Sequence, residues 1–201
     1  MNPSRYLRWA ALLVIVLGLT GCAGRNFVRP QDEKLVLGET TYDQVLATYG
    51  DPRRTGSVTR NGNQMKVIAY AYAEATPFTT GLRTRAMTFA FDNENLLVSY
   101  DYVSSFDGDK FSPKIDEAKT KQIVQGMKKS EVIAIMGIPS GEAIFPLVDD
   151  KEKSLVRYNY LETWRIPFLP TGAKMNRKIM LITFDKDGTA TEVKLEESNQ
   201  N

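Results

Sequence analysis

Two tandem α-α-β-β-β repeats, each a helix pair packed on an antiparallel sheet, are the α+β fold that this sequence predicts. The segments "GETTYDQVLATYGDP" (38–52) and "GMKKSEVIAIMGIP" (126–139) each spell a glycine, a polar start, an apolar stripe at helical spacing and Gly-x-Pro. Each is followed by three runs in which apolar and polar residues alternate, the pattern of half-buried strands. Tyr70 and Tyr72 in the first copy recur as Tyr158 and Tyr160 in the second, a period of about 88 residues, so the chain reads as a duplication.

The first 21 residues stand apart from that fold. Arg5 and Arg8 precede an apolar run from Trp9 to Leu19 that stops at "LTGC". A spanning helix needs about 20 apolar residues, so residues 1–21 read as a signal segment. The stretch "LTGC" resembles a lipobox, in which cleavage falls before the cysteine and the new N-terminal Cys22 receives lipid. What this resemblance to bacterial lipoproteins implies is three acyl chains on Cys22, palmitate among them; two membrane signals already suffice for stable anchoring.

Residues 22–29 lack a clear period and read as a tether. The first repeat, 30–106, begins with Pro30, whose missing N–H costs nothing in a first helical turn. Asp32 and Glu33 suit the N-terminal dipole, and Gly38 closes a short helix over 30–38. A second helix spans Thr41 to Tyr49. Thr41 and Gln44 form a capping box, Tyr42, Val45, Leu46 and Tyr49 make one apolar stripe, and Gly50 with Pro52 ends it. Strands are expected at "VIAYAYAEA" around Tyr70, at Ala86–Phe91 and at Leu96–Val103, with "DNEN" (92–95) as a tight turn and "TPFTTG" as a wider one.

A Gly/Pro/Asp-rich linker at 107–113 leads to the second repeat, 114–196, and a tail at 197–201. "IDEAKTKQIVQG" reads as its first helix with Gly126 as the stop. Val132, Ile133 and Met136 then take the places of Val45, Leu46 and Tyr49. Lys128 or Lys129 stands where Thr40 or Thr41 caps, so this helix start is less well capped. Strands follow at "LVRYNYLETW", "KIMLITF" and "TATEVKL", with "DKDG" (185–188) in the place of "DNEN".

Composition excludes several chemistries. Of 26 basic residues the signal segment holds two, so cleavage would leave 24 against 24 acidic; that balance offers no electrostatic case for nucleic acid. Cys22 is the sole cysteine, and acylated it would leave no thiol for disulfides, thiolate catalysis or thiolate metal sites. With no histidine in the chain, triad hydrolysis and most zinc chemistry lose their usual parts. No enzyme activity, cofactor or metal is expected. "DKDG" with Glu192 and Glu196 is a hairpin turn rather than a calcium loop, because glycine is fourth and strands flank it.

The hairpins "TPFTTG" and "TWRIPFLPTG" carry apolar side chains amid loop punctuation. Phe78 in the first, and Trp164, Ile166, Phe168 and Leu169 with Arg165 in the second, make the candidate partner-binding set. Folding back over the sheet edge to complete the core is the competing assignment for the same residues.

Gly38, Val45, Gly50 and Pro52, repeated as Gly126, Val132, Gly137 and Pro139 behind a lipobox, resemble the outer-membrane assembly lipoproteins of the SmpA/OmlA type, the BamE-like family. That family usually carries one such unit, whereas this chain carries two. Its tandem arrangement also resembles the β-lactamase-inhibitor proteins. The resemblance implies a lipid-anchored binding or scaffold protein on the periplasmic face of the outer membrane, linked to outer-membrane protein assembly or envelope integrity. Its partners would be the membrane, through Cys22, and an envelope protein. The alternatives are an inhibitor of a periplasmic or secreted enzyme and, further off, a carboxylate-based hydrolase.

Overall fold

Alternating side chains drive most of this chain into strands, and the strands hydrogen-bond into a single sheet. A computed structural model describes residues 25–27, 29, 35–75, 82–165 and 173–200. Its strands are β1 (Arg54–Arg60), β2 (Asn63–Ala75), β3 (Leu82–Phe91), β4 (Leu97–Ser104), β5 (Gly141–Ile144), β6 (Ser154–Arg165), β7 (Ala173–Phe184) and β8 (Ala190–Gln200). They lie in sequence order as one eight-stranded antiparallel sheet. The described helices are short: α1 (Tyr42–Tyr49), α2 (Glu117–Thr120) and α3 (Lys129–Met136).

The expected fold class is therefore corrected. The protein is mainly β, without two separate helix-pair-on-sheet repeats. Each half contributes four strands rather than three, because β1 and β5 escape the alternation rule. All seven residues of β1 are exposed, so "RTGSVTR" has no apolar face to betray it; the Asn61-Gly62 turn, with φ of 50° and 74°, pairs it to β2. β5 has four residues.

The helix pairs fail for a related reason. Leu35–Thr40 forms a turn instead of continuing a helix, while 30–34 lie outside the described residues. In the second half, of the stretch 115–126 read as a first helix only Glu117–Thr120 is helical, capped by Asp116 Oδ1, which accepts from Ala118 N at 2.8 Å. A segment this short pays for nucleation without enough hydrogen bonds to recover it. Burying Leu35 and Phe111 in one cluster, and Ile115 and Ile123 in the other, compensates better.

α1 and α3 pack on the same face of the sheet. Val45 and Tyr49 bury against Ile68, Tyr70, Phe89 and Phe91, and Val132 and Met136 against Val156, Tyr158, Met180 and Ile182. Full burial of each such side chain stabilises by about 1.5–3 kcal/mol. Tyr70 and Tyr158 are thus core residues. The Thr41 capping box is formed, with Gln44 N to Thr41 Oγ1 at 3.3 Å and Thr41 N to Gln44 Oε1 at 2.8 Å. α3 has half of one: Glu131 accepts from Lys128 N at 2.7 Å, while the ammonium, having no acceptor, donates to Thr189 Oγ1 at 2.7 Å.

The two halves join edge to edge. β4 and β5 share only three residue pairs, and Gly141 lies so close to β4 that an added Cβ would stand 2.5 Å from the Tyr100 carbonyl oxygen. Past the end of β5, hydroxyls bridge β4 to β6. Ser112 Oγ accepts from Ser104 N at 3.1 Å and donates to the Asn159 carbonyl at 2.7 Å. The stretch 107–113 therefore contributes Phe111 and Ser112 to the seam itself. Arg29, 2% exposed, donates to the Pro139 carbonyl at 2.8 Å beneath the Phe111 ring, 4.4 Å from its centroid.

Candidate functional site: the helix-free face of the sheet

Because strand side chains alternate, the residues between the core tyrosines must point to the other face. In "Tyr100-Asp101-Tyr102" and "Arg157-Tyr158-Asn159-Tyr160" the polar residues are placed opposite α1 and α3. Register then aligns Thr88, Asp101, Gly141, Arg157 and Leu181 in one row across β3 to β7.

Glycine at 141 removes the side chain that would separate Asp101 from Arg157. The Asn159 amide donates to the Asp101 carboxylate in a very short hydrogen bond. Arg177 donates to Asn159 Oδ1 at 3.1 Å and lies 3.7 Å from Asp101, and Arg157 is 4.0 Å from it while reaching Ser99 Oγ at 3.3 Å. Asn159, only 1% exposed, is held by Ser140, whose Oγ accepts from Asn159 N at 2.8 Å. Burial raises the Asp101 pKa above the usual carboxylate value, opposed by Arg157, Arg177, the Asn159 hydrogen bond and the Tyr102 N–H. Two guanidiniums therefore face a single carboxylate, and the centre of this face carries excess positive charge.

Around this centre lie half-buried apolar residues, Leu161, Ile179 and Leu181 on one side and Ala69, Ala86 and Val103 on the other. One end of the face is closed. Asn61 Nδ2, at the β1–β2 tip, donates to the Pro146 carbonyl at 3.0 Å and approaches Asp149 Oδ1 at 3.3 Å. β2 and β5 are three strand spacings apart, about 14 Å in a flat sheet, so the sheet curls and the 145–149 segment reaches back to close that distance. Met65, Ala90 and Val98 form a small third core there, with Ile144 and Leu147 packed against it. The helix-free face is a cradle, closed at this end, with a polar centre and apolar flanks.

The cradle suits binding more than bond-making, since the carboxylate is clamped by cations rather than set beside a nucleophile. Among the described residues no group of three or more potential metal ligands occurs, and no helix is long and apolar enough to cross a membrane. Of the residues singled out from sequence, Trp164 and Arg165 end β6, paired with Lys174 and Ala173. Cys22, Phe78, Ile166, Phe168 and Leu169 lie outside the described residues. Asp101, Asn159, Arg157 and Arg177 were missed. Their polar-between-tyrosine alternation was legible, but their convergence across β4 to β7 was not.

No known protein family matches the chain, the SmpA/OmlA type included, and no curated protein matches it. Among solved structures it is similar to a candidate beta-lactamase inhibitor protein from Streptococcus mutans, with 11% identity and a TM-score of 0.44 over 82% of this chain and 91% of that one. The likeness is remote.

Proposed function

We propose that this chain is a protein-binding module of the cell envelope, anchored through lipid on Cys22, and that it holds its partner in the cradle on the helix-free face. The observation that carries the reading is the Asp101–Asn159–Arg157–Arg177 network: a preorganised polar centre ringed by half-buried apolar residues, as in protein interfaces. The lack of histidine supports binding over catalysis. An envelope scaffold, linked to outer-membrane protein assembly or integrity, fits the lipobox. An inhibitor of a periplasmic or secreted enzyme would use the same cradle against a soluble target. The end of β6, Trp164 and Arg165, with Ile166, Phe168 and Leu169 after it, is a second contact candidate.

The test is crosslinking and recovery from solubilised membranes with Arg177→Glu, paired with a thermal melt. Arg177 is 42% exposed at its side chain, so charge reversal should cut partner recovery at least tenfold, well beyond the loss of folded protein that the melt records. Recovery unchanged from wild type would refute the cradle as the interface. A recovered partner that is a soluble enzyme, inhibited on binding, selects the inhibitor role over the scaffold.

A further inference from the structure

Phe27 and Arg29, a few residues after Cys22 in the chain, are docked on the domain. Phe27 packs edge-on against Tyr49 and Tyr70 at centroid distances of 6.0 and 6.2 Å, and the Phe27 carbonyl accepts from Arg85 at 2.5 Å. Arg29, two residues on, is buried in the seam. Phe27 is thus fixed on the helix-bearing face, just beyond the end of α1, with Arg25 beside it at the surface. Three residue steps separate Cys22 from Arg25, a reach of about 10 Å at most. A lipid on Cys22 would hold this end of the molecule close to the bilayer, with almost no slack.

This end presents a cleft of about 340 Å³ lined by Arg25, Thr48, Asp51, Arg53 and Tyr70, among others. Arg25 and Arg53 are exposed, and Arg54 beside them is exposed too, so three guanidiniums stand against the one carboxylate of Asp51. β2 and β6 run on, still paired, past Tyr70 and Tyr158, whose hydroxyls mark the ends of α1 and α3, so both strands extend beyond the helix ends toward the same end of the sheet. We infer that the surface around the end of α1 is a membrane-facing surface that lies on anionic phospholipid headgroups through Arg25 and Arg53. Basic residues near such a surface are attracted by its negative potential. This rests on the reading of Cys22 as lipid-bearing.

The mature chain would hold one tryptophan, Trp164, since the other, Trp9, precedes Cys22. In a Trp164→Phe background, Thr48→Trp reports the cleft and Glu94→Trp the opposite end of α1, where Asn95 accepts from Tyr42 N at 2.9 Å. The full mature protein is reconstituted on vesicles of phosphatidylethanolamine and phosphatidylglycerol carrying a headgroup nitroxide. Fluorescence quenching should be at least twofold stronger at Thr48→Trp than at Glu94→Trp, and Arg25→Glu with Arg53→Glu should at least halve the difference, the lipid alone still keeping this end near the bilayer. Equal quenching at both positions overturns the inference, as does a difference that the charge reversal leaves unchanged. Mass measurement of the N-terminal peptide reads acylation separately. If Cys22 carries no acyl chain, coupling it to a maleimide lipid still tests the docked orientation, so failure of the lipoprotein reading and failure of this one are distinguishable.

Discussion

The Tyr70 hydroxyl donates to the Gly50 carbonyl at 2.8 Å, tying the middle of β2 to the end of α1. The second half carries the same link, with Tyr158 donating to the Gly137 carbonyl at 3.1 Å. Burial pushes the Tyr70 hydroxyl up to about 12, so it stays protonated and donating across physiological pH. Removing either hydroxyl leaves a helix-end carbonyl without that donor. Tyr70→Phe and Tyr158→Phe should each cost about 1 kcal/mol in a denaturant melt, and an unchanged midpoint in both would deny the link a role in stability.

Gly50 and Gly137 add a backbone constraint at the same two sites. Their φ and ψ of 75°, −157° and 86°, −162° are not those of a left-handed cap but lie in a region essentially confined to glycine. Gly137→Ala has open space for its methyl group, so its loss of roughly 1–3 kcal/mol would be conformational. The measurement is a urea melt compared with Glu131→Ala at the same helix; a smaller loss at Gly137 would contradict the strain argument.

Gly141 is glycine for a different reason. A Cβ there would lie 2.5 Å from the Tyr100 oxygen and 2.9 Å from both Asp101 Cα and Oδ1. Gly141→Ala must push β5 off β4, and overpacking of this kind costs about 1–3 kcal/mol or more. It should also displace Asp101 and so weaken partner recovery. A variant with wild-type stability would mean that the seam yields without cost.

The α3 start offers a stabilising change. Lys128→Ser would supply the missing hydroxyl acceptor opposite Glu131 and complete the capping box, a gain of about 0.5–1 kcal/mol. It forfeits the exposed Lys128 hydrogen bonds to Thr189 Oγ1 and to the Asp187 carbonyl. A midpoint below wild type would show that these contacts outweigh the cap.

Asp101 and Asp149 should titrate stability in opposite directions. Burial raises the Asp101 pKa, so the native state holds its proton more tightly than the unfolded chain, and its contribution to stability falls as pH rises from the ordinary carboxylate value through the higher native one. Asp149 is lowered by its hydrogen bonds from Asn61 and Arg60 and by the Arg60 charge; the stability it adds above the unfolded value is lost as pH falls through the lower native one. Relative to wild type, Asp101→Asn should therefore gain stability with rising pH and Asp149→Asn should lose it. Melts at stepped pH giving the same sign for both would refute the assignment.

Local pattern determined much of this protein. The Thr41 capping box, the two Gly-x-Pro stops, the tight turns at 92–95 and 185–188 and six of the eight strands all follow from residues within a few positions of each other. The likeness of the two halves was legible for the same reason, since both repeat those local signals, but it did not yield two separate helix-pair-on-sheet repeats. Tertiary structure alone decided what had no local signature. β1 has no buried face and β5 is only four residues long, so pairing rather than alternation makes them strands. The short segments read as first helices went to burying single side chains, because isolated short helices are not stable. Fusion of two sheets into one depends on a glycine, two serine hydroxyls and Arg29 meeting across more than a hundred residues. The cradle's polar centre exists only after that fusion, because Asp101 and its arginines belong to different halves of the chain.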